Sequence, residues 1–243
     1  MACSASQSPP TFKKNTMRLR GCHPEPFYPV ASPVAHSIAG FWTFMLWVAR
    51  SKVHLITACR RYLPQLILLV LLANLADIDV LFGLGVGTNA DAFHRGFTHS
   101  FVAAFLVALA VSCVWRIADN FWRSAALYFL AYSSHLLIDL CTGTKLGWNS
   151  TASGIPLFWP WKKDFSSPLV LVVGVKHKDL PMLFSMQNLQ SSLYELFIFG
   201  VFTAALLALW VRHQKNQAMP HERETPARAV YNSNSMQSNE RIP

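Results

Sequence analysis

Residues 193–211 read LYELFIFGVFTAALLALWV, an apolar run that matches the roughly 17–25 residues an α-helix needs to cross a bilayer. Comparable runs recur upstream at Tyr62–Ala76, Phe101–Trp115 and Ala125–Leu140, and they reach spanning length when their polar ends are included. Apolar residues make up 52% of the 243-residue chain and charged residues only 14%, whereas about 25% charged is usual for a soluble domain. The fold class this predicts is all-α: a polytopic membrane helix bundle of four to five transmembrane segments with a long interfacial loop.

Working outward, segment one covers His36 to Val48 and is too short to span unless it extends back past Pro33. Segment two covers about Tyr62 to Leu84, interrupted by Asp77 and Asp79 and ended by Gly83, Gly85 and Gly87. Segments three, four and five cover about Thr98 to Ile117, Ser124 to Cys141 and Leu193 to Arg212, with Thr98 as a candidate N-cap for the third. The expected domain layout is a disordered basic leader (1–30), an integral membrane domain (31–212) and a disordered polar tail (213–243).

Between segments four and five lies a connection of about 50 residues, longer than compact proteins usually carry without a functional reason. It contains Pro156-Leu157-Phe158-Trp159-Pro160-Trp161, aromatic residues beside proline that suit a cap at the membrane interface, and a β-branched stretch, Pro168–Val175, that suits a short strand or an interfacial dip.

The formal charge of +9 is placed at segment ends and tails, the pattern of membrane topology and not of a nucleic-acid-binding stripe. Arg50, Lys52, Arg60, Arg61, Arg116, Arg123, Arg212 and Lys215 favour one, cytoplasmic side. That puts the stretch from Gly83 to Gly96 and the long connection on the outer side. Five cysteines, odd in number and without C-x-x-C spacing, indicate neither a disulfide framework nor a cysteine zinc site.

Ionisable groups inside a bilayer cost about 2.5–3.5 kcal/mol each on insertion scales and so mark functional sites. Here His36 opens segment one, Asp77 and Asp79 end segment two, His94 and His99 flank the start of segment three, and His135 and Asp139 lie in the last turns of segment four. If the segments alternate up and down, all seven fall at one level. His135 and Asp139 are four apart and share a helical face, which suits joint ligation of one metal ion; the plainer reading is a His–Asp hydrogen bond between helices. Asp77 and Asp79, two apart, diverge by about 200° on a helix, so one can bind metal while the other orients a ligand. Arg95 suits an anionic substrate such as a phosphate, or pairs with a nearby aspartate. His36, taken alone, is more often a packed histidine.

In order, Ala35-His36-Ser37-Ile38-Ala39-Gly40, Leu75-Ala76-Asp77-Ile78-Asp79, His94-Arg95-Gly96-Phe97-Thr98-His99-Ser100, Ser134-His135-Leu136-Leu137-Ile138-Asp139 and Pro156-Leu157-Phe158-Trp159-Pro160 resemble the YdjM-type family of predicted membrane-bound metal-dependent hydrolases. The likeness runs from about His36 to Trp161, and the string from His94 to Ser100 is its most specific part. It implies that His36, Asp77, Asp79, His94, His99, His135 and Asp139 form a metal site in a bacterial inner membrane protein. Family members usually carry proline where this chain has Ala76. The His-x-x-x-Asp element is also similar, more weakly, to zinc-dependent phospholipases C, which points towards phosphoesters or lipid-like esters.

The chemistry expected is metal-assisted hydrolysis: one or two divalent ions, zinc first with manganese or iron as alternatives, activate a water. Arg95 stabilises developing negative charge, and Asp77 or Asp79 serves as general base. Expected partners are the lipid bilayer and an anionic or lipid-like substrate. Two rival readings use the same residues. A transporter would employ the intramembrane His and Asp groups as an ion path, and a non-catalytic scaffold would scatter them across membrane depth as separate pairs.

Overall fold

The computed structural model describes residues 31–49, 51, 53–80, 96–148, 152, 154–161, 163–174 and 185–218. The leader, His94, Arg95 and the glycines at 83, 85 and 87 lie outside the described residues. Helix α1 (Pro33–Val48) begins at a proline, whose fixed φ and missing N–H suit a first helical turn. Segment one therefore does not extend back past Pro33. Helix α2 (Leu55–Arg61) leads into α3 (Leu63–Asn74), which tightens into a 3-10 turn at Leu75–Asp77. A second 3-10 turn, Phe97–His99, precedes α4 (Phe101–Val114); α5 (Phe121–Leu140) and α6 (Met186–Ala218) follow.

Segment three starts later than its sequence suggests. The N-cap of α4 is Ser100, whose hydroxyl accepts from the Ala103 N–H at 3.1 Å. Thr98 is held in the preceding 3-10 turn and its hydroxyl is engaged elsewhere, so it cannot cap. Segment five is longer than expected at both ends: α6 takes in the last residues of the connection and six residues beyond Arg212.

Among the described residues, two helices, Leu63–Val80 and Met186–Lys215, are long and apolar enough to cross a membrane. Helices α1 and α4, at 16 and 14 residues, fall short of that length, and by this measure two of the four to five spans expected from sequence are found among the described residues. Phe197, Val201, Phe202 and Leu209 on α6 lie open on the protein surface, as do Ile67 and Leu71 on α3 and Phe105 and Leu106 on α4. Such continuous apolar surface on helices whose backbone groups are satisfied internally is what lipid solvates.

Without a hydrophobic drive in lipid, helices associate by close packing of small residues. Ala35, Ala39 and Gly40 of α1, Ala73 of α3, Ala104 and Ala108 of α4, and Ala131 of α5 are all buried. Gly40 is the tightest point: a Cβ there would lie 2.7 Å from Val70 Cα and 2.9 Å from Leu69 O. Helix α6 docks on α1 through the Trp42 indole N–H, which donates to Thr203 Oγ1 at 2.8 Å. It docks again through buried Glu195, which accepts from both the N–H and the hydroxyl of Ser32.

The connection between α5 and α6 is more ordered than a plain loop. Strand β1 (Thr142–Gly143) pairs in parallel with β4 (Val172–Val173), and β2 (Gly147–Trp148) pairs antiparallel with β3 (Leu169–Val170). The β-branched stretch near 168–175 thus supplies two short strands. Ser167 N–H donates to Leu140 O and Leu171 N–H to Cys141 O, which seats the connection on the C-terminal end of α5.

Candidate metal centre

The start of α1, the end of α3, the start of α4 and the end of α5 meet at one end of the bundle, as the distances among His36, Asp77, His99, His135 and Asp139 show. Each of these ends carries site residues. Asp77, His99, His135 and Asp139 each present a donor atom, and the four atoms lie within 4.8 Å of one another. His99 Nε2 is 3.3 Å from Asp139 Oδ2 and 3.7 Å from Asp77 Oδ1. His135 Nε2 is 3.3 Å from Asp139 Oδ2 and 3.5 Å from Asp77 Oδ1. His36 stacks on His135 with ring centroids 3.7 Å apart.

The neighbours of these rings decide which nitrogen faces inward. His135 Nδ1 is 2.9 Å from the carbonyl oxygen of Ala73; a carbonyl only accepts, so Nδ1 carries the hydrogen and Nε2 offers a lone pair in the neutral ring. His99 Nδ1 lies 3.3 Å from Asp79 Oδ2, and a carboxylate fixes the same tautomer. Thr98 Oγ1 donates to that Asp79 oxygen at 2.7 Å, and Tyr132 donates to the Thr98 carbonyl at 2.8 Å, which holds the turn in place. The two Nε2 atoms then face each other across 3.4 Å. Two lone pairs and two carboxylates directed at one volume repel unless a cation lies among them.

The polar accounting agrees. Asp77 Oδ1, both oxygens of Asp139 and both ring nitrogens of His36 are buried and make no hydrogen bond among the described residues. Buried polar atoms in a folded protein are nearly always satisfied, so unsatisfied carboxylate oxygens of Asp77 and Asp139 beside the Nε2 atoms of His99 and His135 fit a bound ion. Two imidazole nitrogens and two carboxylate oxygens are a zinc-type set that manganese and iron also accept.

Of the seven residues singled out in the sequence, the structure brings six together: His36, Asp77, Asp79, His99, His135 and Asp139. His94, like the substrate-binding candidate Arg95, lies outside the described residues. Asp77 and Asp79 reach His99 from opposite sides, Asp77 at Nε2 and Asp79 at Nδ1. Sequence reading passed over Thr98 as a site residue, although its place beside His99 in a turn was a signal. It also passed over Glu195, a lone acid in an otherwise apolar run. Replacing Asp79 with asparagine is expected to leave the fold intact and weaken metal binding by about 10–100-fold, the usual effect of losing a carboxylate behind a ligating histidine. Metal titration of the purified variant measures it.

An aromatic rim borders the cluster. Asp139 is fully buried and Asp79 nearly so, whereas the Asp77 side chain is 20% exposed, so Asp77 is the cluster carboxylate nearest the surface. Beside it, Phe97 packs edge-on against Trp159 at 4.9 Å, and Phe101 contacts Phe158. The Phe101 N–H donates to Leu157 O at 2.9 Å, which ties this aromatic segment to the start of α4.

A buried His/Asp cluster at one end of a helical bundle with apolar outer faces defines a membrane protein with a candidate metal centre. The chain belongs to the family of the YdjM inner membrane protein, whose model matches residues 32–218. Among curated proteins it is 39% identical over 110 residues to the inner membrane protein YbcI of Escherichia coli K12, covering 42% of this chain and 62% of the relative. It is 36% identical over 86 residues to the inner membrane proteins YdjM of the same strain and of Shigella flexneri, covering 34% of this chain and 38% of each relative. The chain thus spans less than two thirds of these relatives' lengths. No solved structure matches it.

Proposed function

We propose that this protein is an integral inner membrane hydrolase that uses a divalent metal, zinc first among the candidates, on a phosphoester or lipid-like ester. The observation that carries this reading is the convergence of donor atoms of Asp77, His99, His135 and Asp139 within 4.8 Å at the end of the bundle, where Asp77 Oδ1 and both Asp139 oxygens are buried without a hydrogen bond among the described residues. A scaffold built from separate polar pairs would have no reason to gather them. Asp77, His99, His135 and Asp139 would hold a divalent ion there, which would supply Lewis acidity and acidify a water near neutral pH.

The remaining work falls to the chain itself. Asp79 and the Ala73 carbonyl hold the rings of His99 and His135 in the tautomer that keeps Nε2 free. Asp77, the one cluster carboxylate open to solvent, marks the side of entry. Arg95, close in sequence to His99, is assigned to hold an anionic substrate group by paired hydrogen bonds. Phe158, Trp159 and Trp161 are exposed at this same end, and aromatic side chains of this kind settle at the headgroup level of a bilayer. That rim supports a substrate delivered from the membrane, and the distribution of basic residues supports the extracytoplasmic side.

The test is release of product from a panel of phosphoesters and acyl esters by detergent-purified protein loaded with zinc or manganese. Turnover that stops on chelation and returns on adding metal is expected. Metal-loaded protein that cleaves no member of the panel would overturn the hydrolase reading and shift weight to ion transport.

A further inference from the structure

We propose that the centre holds two divalent ions, with Asp77 and Asp139 as bridging carboxylates and His36 as a ligand of the second ion; this rests on the metal-centre reading above. The two oxygens of each aspartate point to different partners. Asp77 Oδ1 approaches His99 and His135 at 3.7 and 3.5 Å, while its Oδ2 approaches His36 Nε2 at 3.9 Å. Asp139 repeats the division: Oδ2 lies 3.3 Å from both His99 and His135 Nε2, and Oδ1 lies 3.6 Å from His36 Nε2.

His36 is fully buried and neither ring nitrogen makes a hydrogen bond among the described residues. It also stands apart from the compact group of four donor atoms. One ion among those four atoms would use one oxygen of each aspartate and leave His36 with the two remaining oxygens and nothing to bind. His36 is stacked on His135 at 3.7 Å, which holds its Nε2 against the second oxygens of Asp77 and Asp139. Carboxylates that split their oxygens in this way hold ions about 3.5–4 Å apart in two-metal hydrolytic sites.

The experiment is metal-to-protein stoichiometry of the full chain in detergent after loading with manganese and removal of free metal, with the electron paramagnetic resonance spectrum of the same samples. Two ions per chain in the parent and one in His36→Gln are expected, with a magnetically coupled pair in the parent and an isolated ion in the variant. One ion per chain in the parent, with an uncoupled spectrum, overturns the second ion and leaves the metal centre standing. No bound ion in the parent overturns both. Should His36→Gln fail to fold, the parent's spectrum decides, since a coupled pair requires two ions and an isolated signal excludes them.

Discussion

Protein carrying His135→Ala together with Asp139→Ala is expected to lose its bound metal, with affinity reduced by more than the roughly 100-fold upper figure for a supporting residue. The two side chains are one turn apart on α5 and supply two of the four converging donor atoms. What remains, His99 with Asp77, cannot close around an ion. Removing the imidazole also deprives the Ala73 carbonyl of its donor, and a buried acceptor left unpaired costs about 1–3 kcal/mol. Removing Asp139 at the same time takes away a buried carboxylate that would otherwise stand without its His135 partner. Metal analysis of the variant beside its circular dichroism spectrum checks this. Retained metal with native helicity would show that the site lies elsewhere.

The second large effect is expected at Gly40. A Cβ at this position meets the backbone of α3 at Val70 and Leu69, which cannot rotate away. Gly40→Val must therefore push α1 from α3, and overpacking of this kind costs about 1–3 kcal/mol or more. Helix propensity works in the opposite direction but is worth only up to about 1 kcal/mol against glycine. His36 stands one turn before Gly40 and Ala73 packs beside it, so the same displacement spreads the metal cluster. Lower thermal stability in detergent and weaker metal binding are both expected. Gly200→Ala is the control, because nothing lies within 4 Å of a Cβ there: it should leave metal binding unchanged and thermal stability unchanged or slightly raised by the better helix propensity of alanine.

The apolar runs made the helices legible, since span length is a property of composition. Their ends were less so: Ser100 and Thr98 are both competent caps, and the choice between them is made by Asp79, which takes the Thr98 hydroxyl. The site's members were legible because His and Asp are costly in lipid and stood at segment ends. Their division of labour was not. Whether Asp77 or Asp79 joins the donor cluster depends on the 3-10 turn that closes α3, a distortion that no periodicity reveals. Glu195 was hidden for a related reason: its partner Ser32 lies 163 residues away in sequence.

The most direct measurement is the metal content of the unsubstituted full chain, purified in detergent and loaded with zinc or manganese before free metal is removed. At least one tightly held divalent ion per chain, lost on combining His135→Ala with Asp139→Ala, is the result predicted. A parent protein that binds neither ion at stoichiometric level would contradict the account at its centre.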